Sequence, residues 1–262
     1  SRLSRGLGDV YKRQHHLGAV NGTARFDREA IDVIDVGVNG ALQAIDAARR
    51  WGARLVMASS PEAYGEAPDR NHHDERSTFT PPKEHLRHSY GASKYLVEVM
   101  AQAAVQQGLD VRIARPCNAY GPRASGGQNG QVVAMMLERA ADGRALAVHG
   151  DGRQTRSFTW VGDVVAGLER LGRMDEAVDG SGPLAGSAFN FASQVETSIA
   201  DLAAHISALT GASVSVGQRG HPGDPRRRRP EVDTVKQRLG WEANTSLEDG
   251  LQRTWRALQD ER

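Results

Sequence analysis

Arg54-Leu-Val-Met-Ala-Ser59, then Tyr90-Gly-Ala-Ser-Lys94 opening a helix that runs to Gln106, then Val111-Arg-Ile-Ala-Arg115: these segments decide the fold. The first and last are short apolar runs of the kind buried on both faces of a parallel sheet, and the middle one is long enough for a crossover helix. Strand, helix and strand at this spacing predict a parallel α/β sheet. Upstream, Ile31, Ile34, Val38, Leu42 and Ile45 recur at helical spacing, so Asp27–Trp51 reads as one long helix with that stripe as its apolar face. His16–Val20 reads as the tip of an earlier strand, and Pro61 to His88 as a loop.

Downstream of Pro116 a glycine-rich loop spans Gly121 to Gly130, followed by a helix over Val132–Ala141 and a strand over Leu146–His149. Further elements are a helix over Asp163–Leu171, a strand over Phe189–Ala192, and a helix capped by Thr197 and ended at Gly211. Val232–Leu239 is a short helix stopped by Gly240, and Ser246-Leu-Glu-Asp249 resembles a capping box that opens the last helix. At the other end, Gly6 and Gly8 imitate a dinucleotide-binding turn, but no strand precedes them and Tyr11 occupies the third glycine's place. Ser4 to Gln14 instead back-translates to a sequence that looks like a transposase-library adapter read as protein. Residues 1–14 are therefore expected to be a non-native scar, with native sequence beginning near His15 in mid-strand.

The chain has 262 residues and a net charge of +1, which implies no bulk attraction to nucleic acid or to a membrane. One cysteine, Cys117, excludes an intramolecular disulfide; beside the proposed site it reads as a small buried residue, having no histidine partner nearby in sequence. Neither an apolar run of spanning length nor a signal peptide is found, so a cytoplasmic protein is expected. His15-His16 and His72-His73-Asp74 lack a second cluster at zinc-like spacing, and no metal is expected. Arg226–Arg229 has no interleaved aromatics and reads as a phosphate clamp with a solvated face rather than a nucleic-acid patch.

Chemistry enters with Tyr90 and Lys94, four residues apart and so on one helix face. A neighbouring ammonium favours the phenolate, so the pair is expected to supply a base near neutral pH. The spacing alone is weak; its context is what raises it. Ser59-Ser-Pro-Glu-Ala-Tyr-Gly65 lies upstream and Arg115-Pro-Cys-Asn-Ala-Tyr-Gly-Pro122 downstream. Gly150-Asp-Gly-Arg-Gln-Thr-Arg-Ser-Phe158, Val161-Gly-Asp163 and Leu239-Gly-Trp-Glu242 follow in order. From about His15 to the end, this series resembles the extended short-chain dehydrogenases/reductases, the NAD-dependent nucleotide-sugar epimerase and dehydratase group.

The resemblance implies a doubly wound, Rossmann-like parallel sheet lacking its first strands, with a smaller C-terminal substrate-binding region. Residues 15–121 would form a partial NAD(P)-binding domain and residues 122–262 mainly the substrate region, with 157–192 returning to the first. It implies Tyr90 as the base toward a sugar hydroxyl, Lys94 as its pKa partner and nicotinamide-ribose ligand, and Ser60 as a hydrogen-bond partner of the same oxygen. Ala19, Ser59 and Pro116, with Tyr90 and Lys94, would line the cofactor. Asn118, Arg156 and Arg228 resemble the residues that hold the substrate diphosphate, a task suited to a planar permanent cation. Glu62 stands where an acid/base residue is found in dehydratases and decarboxylases; a structural glutamate is the alternative. Pro61 replaces the aspartate of one dehydratase class, and Gly37 replaces a common asparagine in the first helix.

The function implied for the intact protein is conversion of a nucleotide-diphosphate sugar through a 4-keto intermediate. Epimerisation ranks first, followed by 4,6-dehydration or decarboxylation. NAD is the expected cofactor, with NADP left open, and a homodimer is the expected assembly. Other classes are a reductase of a non-nucleotide carbonyl, against which the two arginines speak, and a catalytically silent binding protein, against which Ser60, Tyr90 and Lys94 together speak. The chain as it stands is expected to be inactive because its cofactor-phosphate loop is missing.

Overall fold

The computed structural model describes residues 12–64, 86–127, 130–218 and 227–262. In chain order the elements begin with β1 (Arg13–His16), α1 (Thr23–Arg28), α2 (Ala30–Trp51) and β2 (Arg54–Ala58). Two short 3-10 turns (Pro61–Tyr64 and Leu86–His88) precede α3 (Ser89–Gln106), β3 (Val111–Pro116) and β4 (Ala119–Tyr120). Then come α4 (Val132–Ala141), β5 (Leu146–His149), β6 (Thr155–Arg156), β7 (Thr159–Trp160), α5 (Val161–Arg173), β8 (Ala188–Phe191) and β9 (Thr197–Ser198). The chain closes with α6 (Ile199–Thr210), β10 (Val214–Gln218), β11 (Arg227–Arg228), α7 (Asp233–Leu239) and α8 (Leu247–Asp260).

The main sheet is parallel throughout, in the order β1-β2-β3-β8. Alternation along β2 and β3 sends Leu55, Met57, Val111 and Ile113 to one face, where Val97, Ala101 and Ala104 of α3 and the alanines of α2 cover them. Val56 and Ala114 face the other way, against Val164, Leu168 and Leu171 of α5 and Phe189 and Phe191 of β8. Covering both faces is what keeps Leu55–Ala58 of β2 apolar throughout. At Gly167 of α5 an added Cβ would lie 2.4 Å from the Phe191 ring, so glycine is what admits α5 to this distance. A third cluster unites α4, α6 and α8 with β5: Val133, Met136, Leu137, Leu146, Leu202, Ile206 and Leu251 are its centre. β8 follows α5 back into the main sheet, so the chain passes from the sheet to the third cluster and returns.

Several sequence expectations are corrected. The expected helix from Asp27 is interrupted at Glu29, where the backbone leaves helical values (φ −123°). Of its apolar stripe Ile45 is in the core, but Ile31 is 81% exposed, and Ile34 and Leu42 are also exposed. The buried face is Val33, Gly37, Ala41, Ala44, Ile45 and Ala48, because small side chains let α2 lie close on α3. A Cβ at Gly37 would already stand 3.1 Å from Ser93 Oγ. The first strand ends at His16 rather than running to Val20, and it includes Arg13 and Gln14 of the supposed scar, paired with Arg54 and Leu55. A ladder is made by main-chain groups, so side-chain identity does not bar those residues from it. Ser198, not Thr197, caps α6: its hydroxyl accepts from Asp201 N–H at 3.0 Å. Ser246 caps α8 as expected, accepting from Asp249 N–H at 3.1 Å.

A charged cluster at the amino ends of β2 and β3 ties the sheet to α5. Arg112, 1% exposed, donates twice to Asp110, to Leu171 O at 2.6 Å and to Met174 O. Arg54 donates to Asp110, to Asp175 and to the carbonyls of Gly172 and Arg173. Two guanidinium groups thus satisfy carbonyls that the end of a helix leaves without intrahelical partners. Burial alone pushes Asp110 upward, but Arg112 and Arg54 together outweigh it and hold the carboxyl below its ordinary value.

Candidate active site

The carboxyl ends of the parallel strands are where an open α/β sheet binds its ligands, and three of them converge on α3. Ala58, Ser59 and Ser60 leave β2 beneath the helix, and a 3-10 turn sends Glu62 forward. The N–H of Glu62 donates to Ser60 Oγ at 3.2 Å. Tyr90 and Lys94 share a face of α3, as their spacing predicts. The Ser60 hydroxyl is hydrogen-bonded to the Tyr90 phenol. Phe26 of α1 stacks on the Tyr90 ring, with centroids 4.7 Å apart and planes within 8°. Offset or parallel contact of this kind holds a ring by its apolar face and leaves the hydroxyl to its polar partners.

The expectation that Lys94 lowers the tyrosine is not met in this geometry. Lys94, 3% exposed, donates to Ala58 O at 2.7 Å, and its nitrogen stands 5.6 Å from the Tyr90 ring centroid. Burial pushes the Tyr90 phenol up to about 12; the Glu62 carboxylate adds to this, and the Ser60 hydrogen bond opposes it. Burial likewise pushes the Lys94 amine down to about 8, with Glu98 working the other way. Desolvation therefore outweighs the attraction that sequence spacing suggested.

Arg228 meets a carboxylate within the site. Its Nη1 donates to Glu62 Oε1 at 2.7 Å, with both side chains largely buried. Because Glu62 raises the Tyr90 pKa through its charge, this pair belongs to the Tyr90 end of the site. Arg156 is the neighbour of Arg228 across the β6–β11 ladder and donates to Thr155 O. Asn118, in a left-handed conformation (φ 40°), donates its amide to Ser157 O at 3.0 Å and so ties the exit of β3 to the strand that carries Arg156. Pro116 ends β3, and Ala19 follows β1 by three residues. Ser59 donates its hydroxyl proton to Glu98, which leaves its oxygen only as an acceptor.

Glu98, Arg115 and His16 were not singled out from the sequence, yet each borders Lys94 or its anchors. Glu98 stands four residues beyond Lys94, a spacing legible in the sequence. Arg115 lies inside an apolar strand, where a charge requires a partner. Burial lowers the His16 imidazole pKa, and the charge of Lys94 lowers it further. Gly65, His72–Asp74 and Arg226 lie outside the described residues, and among the described residues no group of three potential metal ligands occurs. No described helix is long and apolar enough to cross a membrane.

These residues fit the nicotinamide side of NAD: an ammonium has three donors, and Ala58 O takes one from Lys94. Among the described residues no strand-to-helix loop carries the G-x-G-x-x-G spacing that receives a pyrophosphate.

Comparison with known proteins agrees with this geometry. The chain is 32% identical over 241 residues to UDP-glucuronic acid decarboxylase 5 of Arabidopsis thaliana, covering 90% of this chain and 67% of that protein. It is 32% identical over 248 residues to the UDP-N-acetyl-alpha-D-glucosaminuronate decarboxylase of Bacillus cytotoxicus, covering 91% and 74%. Among solved structures, UDP-glucose 4-epimerase of Thermotoga maritima, crystallised with UDP-glucose, superposes with a TM-score of 0.84 at 26% identity, over 95% of this chain and 78% of that one. The chain thus spans about two thirds of the length of the plant relative. The pattern of the NAD dependent epimerase/dehydratase family matches residues 14–183. With the parallel sheet and the Ser60–Tyr90–Lys94 arrangement at its strand ends, this chain belongs to the NAD-dependent epimerase/dehydratase family.

Proposed function

We propose that the site decarboxylates a nucleotide-diphosphate sugar acid of the UDP-glucuronic acid class. The Arg228–Glu62 pair at 2.7 Å carries this reading, since it sets a guanidinium fork at the Tyr90 end of the site, where the sugar ring reacts. NAD, held on its nicotinamide side by Tyr90 and Lys94, would supply the hydride acceptor for oxidation at C4 and the hydride for the closing reduction. Tyr90 takes the proton of the C4 hydroxyl, and Ser60 hydrogen-bonds the same oxygen. With C4 a ketone, the C5 carboxyl is β to it, and breaking the C5–carboxyl bond leaves its electron pair in an enolate. Arg228 holds the carboxylate before it leaves as carbon dioxide, Ser60 and Tyr90 donate to the enolate oxygen, and Glu62, released from Arg228 and protonated from solvent, passes that proton to C5. Decarboxylase relatives at 32% identity support this choice over simple epimerisation, which the sequence ranked first. The test uses a form of the protein that binds NAD: it is incubated with UDP-glucuronic acid and the products are read by mass spectrometry. Appearance of a UDP-pentose with release of carbon dioxide is expected, whereas an isomeric UDP-hexuronic acid as sole product refutes the reading in favour of epimerisation.

The described residues carry the nicotinamide and sugar side of this site, and the chain alone binds NAD poorly. Supporting this, β1 has a hydrogen-bonded neighbour on one side only among the described residues. Fluorescence titration with NADH is expected to show no saturation in the micromolar range, and micromolar binding overturns this part. The assembly is a homodimer, supported by the exposed Ile31, Ile34 and Leu42 of α2 beside the exposed Tyr95, Leu96 and Val99 of α3, where two packed helices present apolar side chains outward.

A further inference from the structure

Three α3 residues on one face, Tyr90, Lys94 and Glu98, each grip one of three consecutive residues at the end of β2. Tyr90 bonds Ser60, Lys94 bonds Ala58 O at 2.7 Å, and Glu98 accepts from the Ser59 hydroxyl. The carboxylate of Glu98 is itself immobilised: Arg115, from the interior of β3, donates Nε to Oε1 at 2.8 Å and Nη2 to Oε2 at 2.6 Å. Both partners are nearly buried, with side-chain exposures of 6% and 12%. We infer that Glu98 is a positioning residue for the reaction, a fixed negative charge, locked by Arg115, that keeps Lys94 an ammonium and holds the end of β2 in register with Tyr90.

The physical case rests on which charges surround Lys94. From its own helix Tyr90 and Glu98 face it; from β2, the Ala58 carbonyl; from β1, His16; from β3, Arg115, whose fork is turned onto Glu98. Burial disfavours the ammonium, and among these neighbours Glu98 is the one that restores it. His16 and Arg115 are cations or potential cations and add nothing in its favour. Without the Glu98 charge the amine is left to desolvation, and a neutral amine neither favours the phenolate nor offers three donors. The bidentate bond to Arg115 matters because a mobile glutamate would spend its time in solvent, where its effect is screened.

This inference rests on Tyr90 and Lys94 being the proton-transfer pair, but its test needs neither NAD nor substrate, so it can fail while the decarboxylase reading stands, and the reverse. The chain has four lysines: Lys12, Lys83, Lys94 and Lys236. Labelling lysine Cε with carbon-13 therefore gives four titration curves by NMR, with Lys94 identified by the signal lost in Lys94→Arg. In Glu98→Gln the Lys94 midpoint is expected to fall by roughly one unit, the size of shift an adjacent opposite charge produces, while the other three hold. Glu98→Asp, which keeps the charge, is expected to recover at least half of that fall, a rescue that a purely structural role would not give. A Lys94 midpoint unchanged in Glu98→Gln overturns the inference. Should Glu98→Gln not fold, Glu98→Asp decides alone: a midpoint within about 0.3 units of the parent supports the charge role, and a drop of roughly a full unit overturns it.

Discussion

Replacing Arg228 with methionine distinguishes a carboxylate-binding arginine from a diphosphate clamp. The side chain keeps an unbranched apolar stem and loses the guanidinium, so the packing of the stem in a site only 10% exposed is retained. Arg228 now donates to Glu62 at 2.7 Å. If it instead meets the carboxylate of a bound sugar acid, the variant loses one charge-assisted interaction, worth about 1.5–3 kcal/mol. That corresponds to about 10- to 150-fold weaker binding of UDP-glucuronic acid. Because Glu62 must give up Arg228 for the ligand, part of that gain is offset in the parent, and the lower half of the range is the expected outcome. UDP-glucose has the same diphosphate and no carboxylate, so its affinity is expected to change by less than about threefold, within the 0.5 kcal/mol typical of substitutions that touch no specific feature. Isothermal titration of both ligands against parent and variant gives the comparison. Equal weakening for the two ligands refutes the argument and restores Arg228 to the diphosphate, and no change for either removes it from the site.

Tyr90→Phe is expected to leave folding intact, because the stack on Phe26 survives, and to abolish turnover in any form of the protein that binds NAD; activity within tenfold of the parent would contradict its role as base. Glu62→Gln should still permit reduction of NAD by the sugar acid yet stall before final product, which stopped-flow absorbance and end-point chromatography distinguish; loss of NAD reduction itself would make Glu62 structural. Arg112→Met breaks a buried ion pair and leaves two helix-end carbonyls unpaired, so a loss of about 3–5 kcal/mol is expected in urea unfolding with an unchanged m value. A loss below about 1 kcal/mol would show the site relaxing around the change. Asp110 is held below its unfolded value of about 3.9, so its contribution is complete above that pH and disappears as pH falls through the lower folded value. The parent should therefore lose more stability than Arg112→Met between pH 5 and 2, the window about the carboxylate range.

By itself the sequence determined the strand–helix–strand rhythm, the face shared by Tyr90 and Lys94, and the cap at Ser246. All of these are read from periodicity and short spacings, which depend on local backbone geometry. It did not decide which of two apolar stripes on α2 meets the core, because Ile31 and Leu42 are as hydrophobic as any core residue, and only close packing on α3 selects the glycine and alanines. Nor did it decide where Arg228 points: Glu62 lies 166 positions away, and their pairing follows from β11 being laid beside β6. The direction of the Tyr90 shift differs from the sequence expectation for a related reason. Spacing reports which charges are neighbours, whereas the cost of desolvation depends on everything that the rest of the chain packs around them.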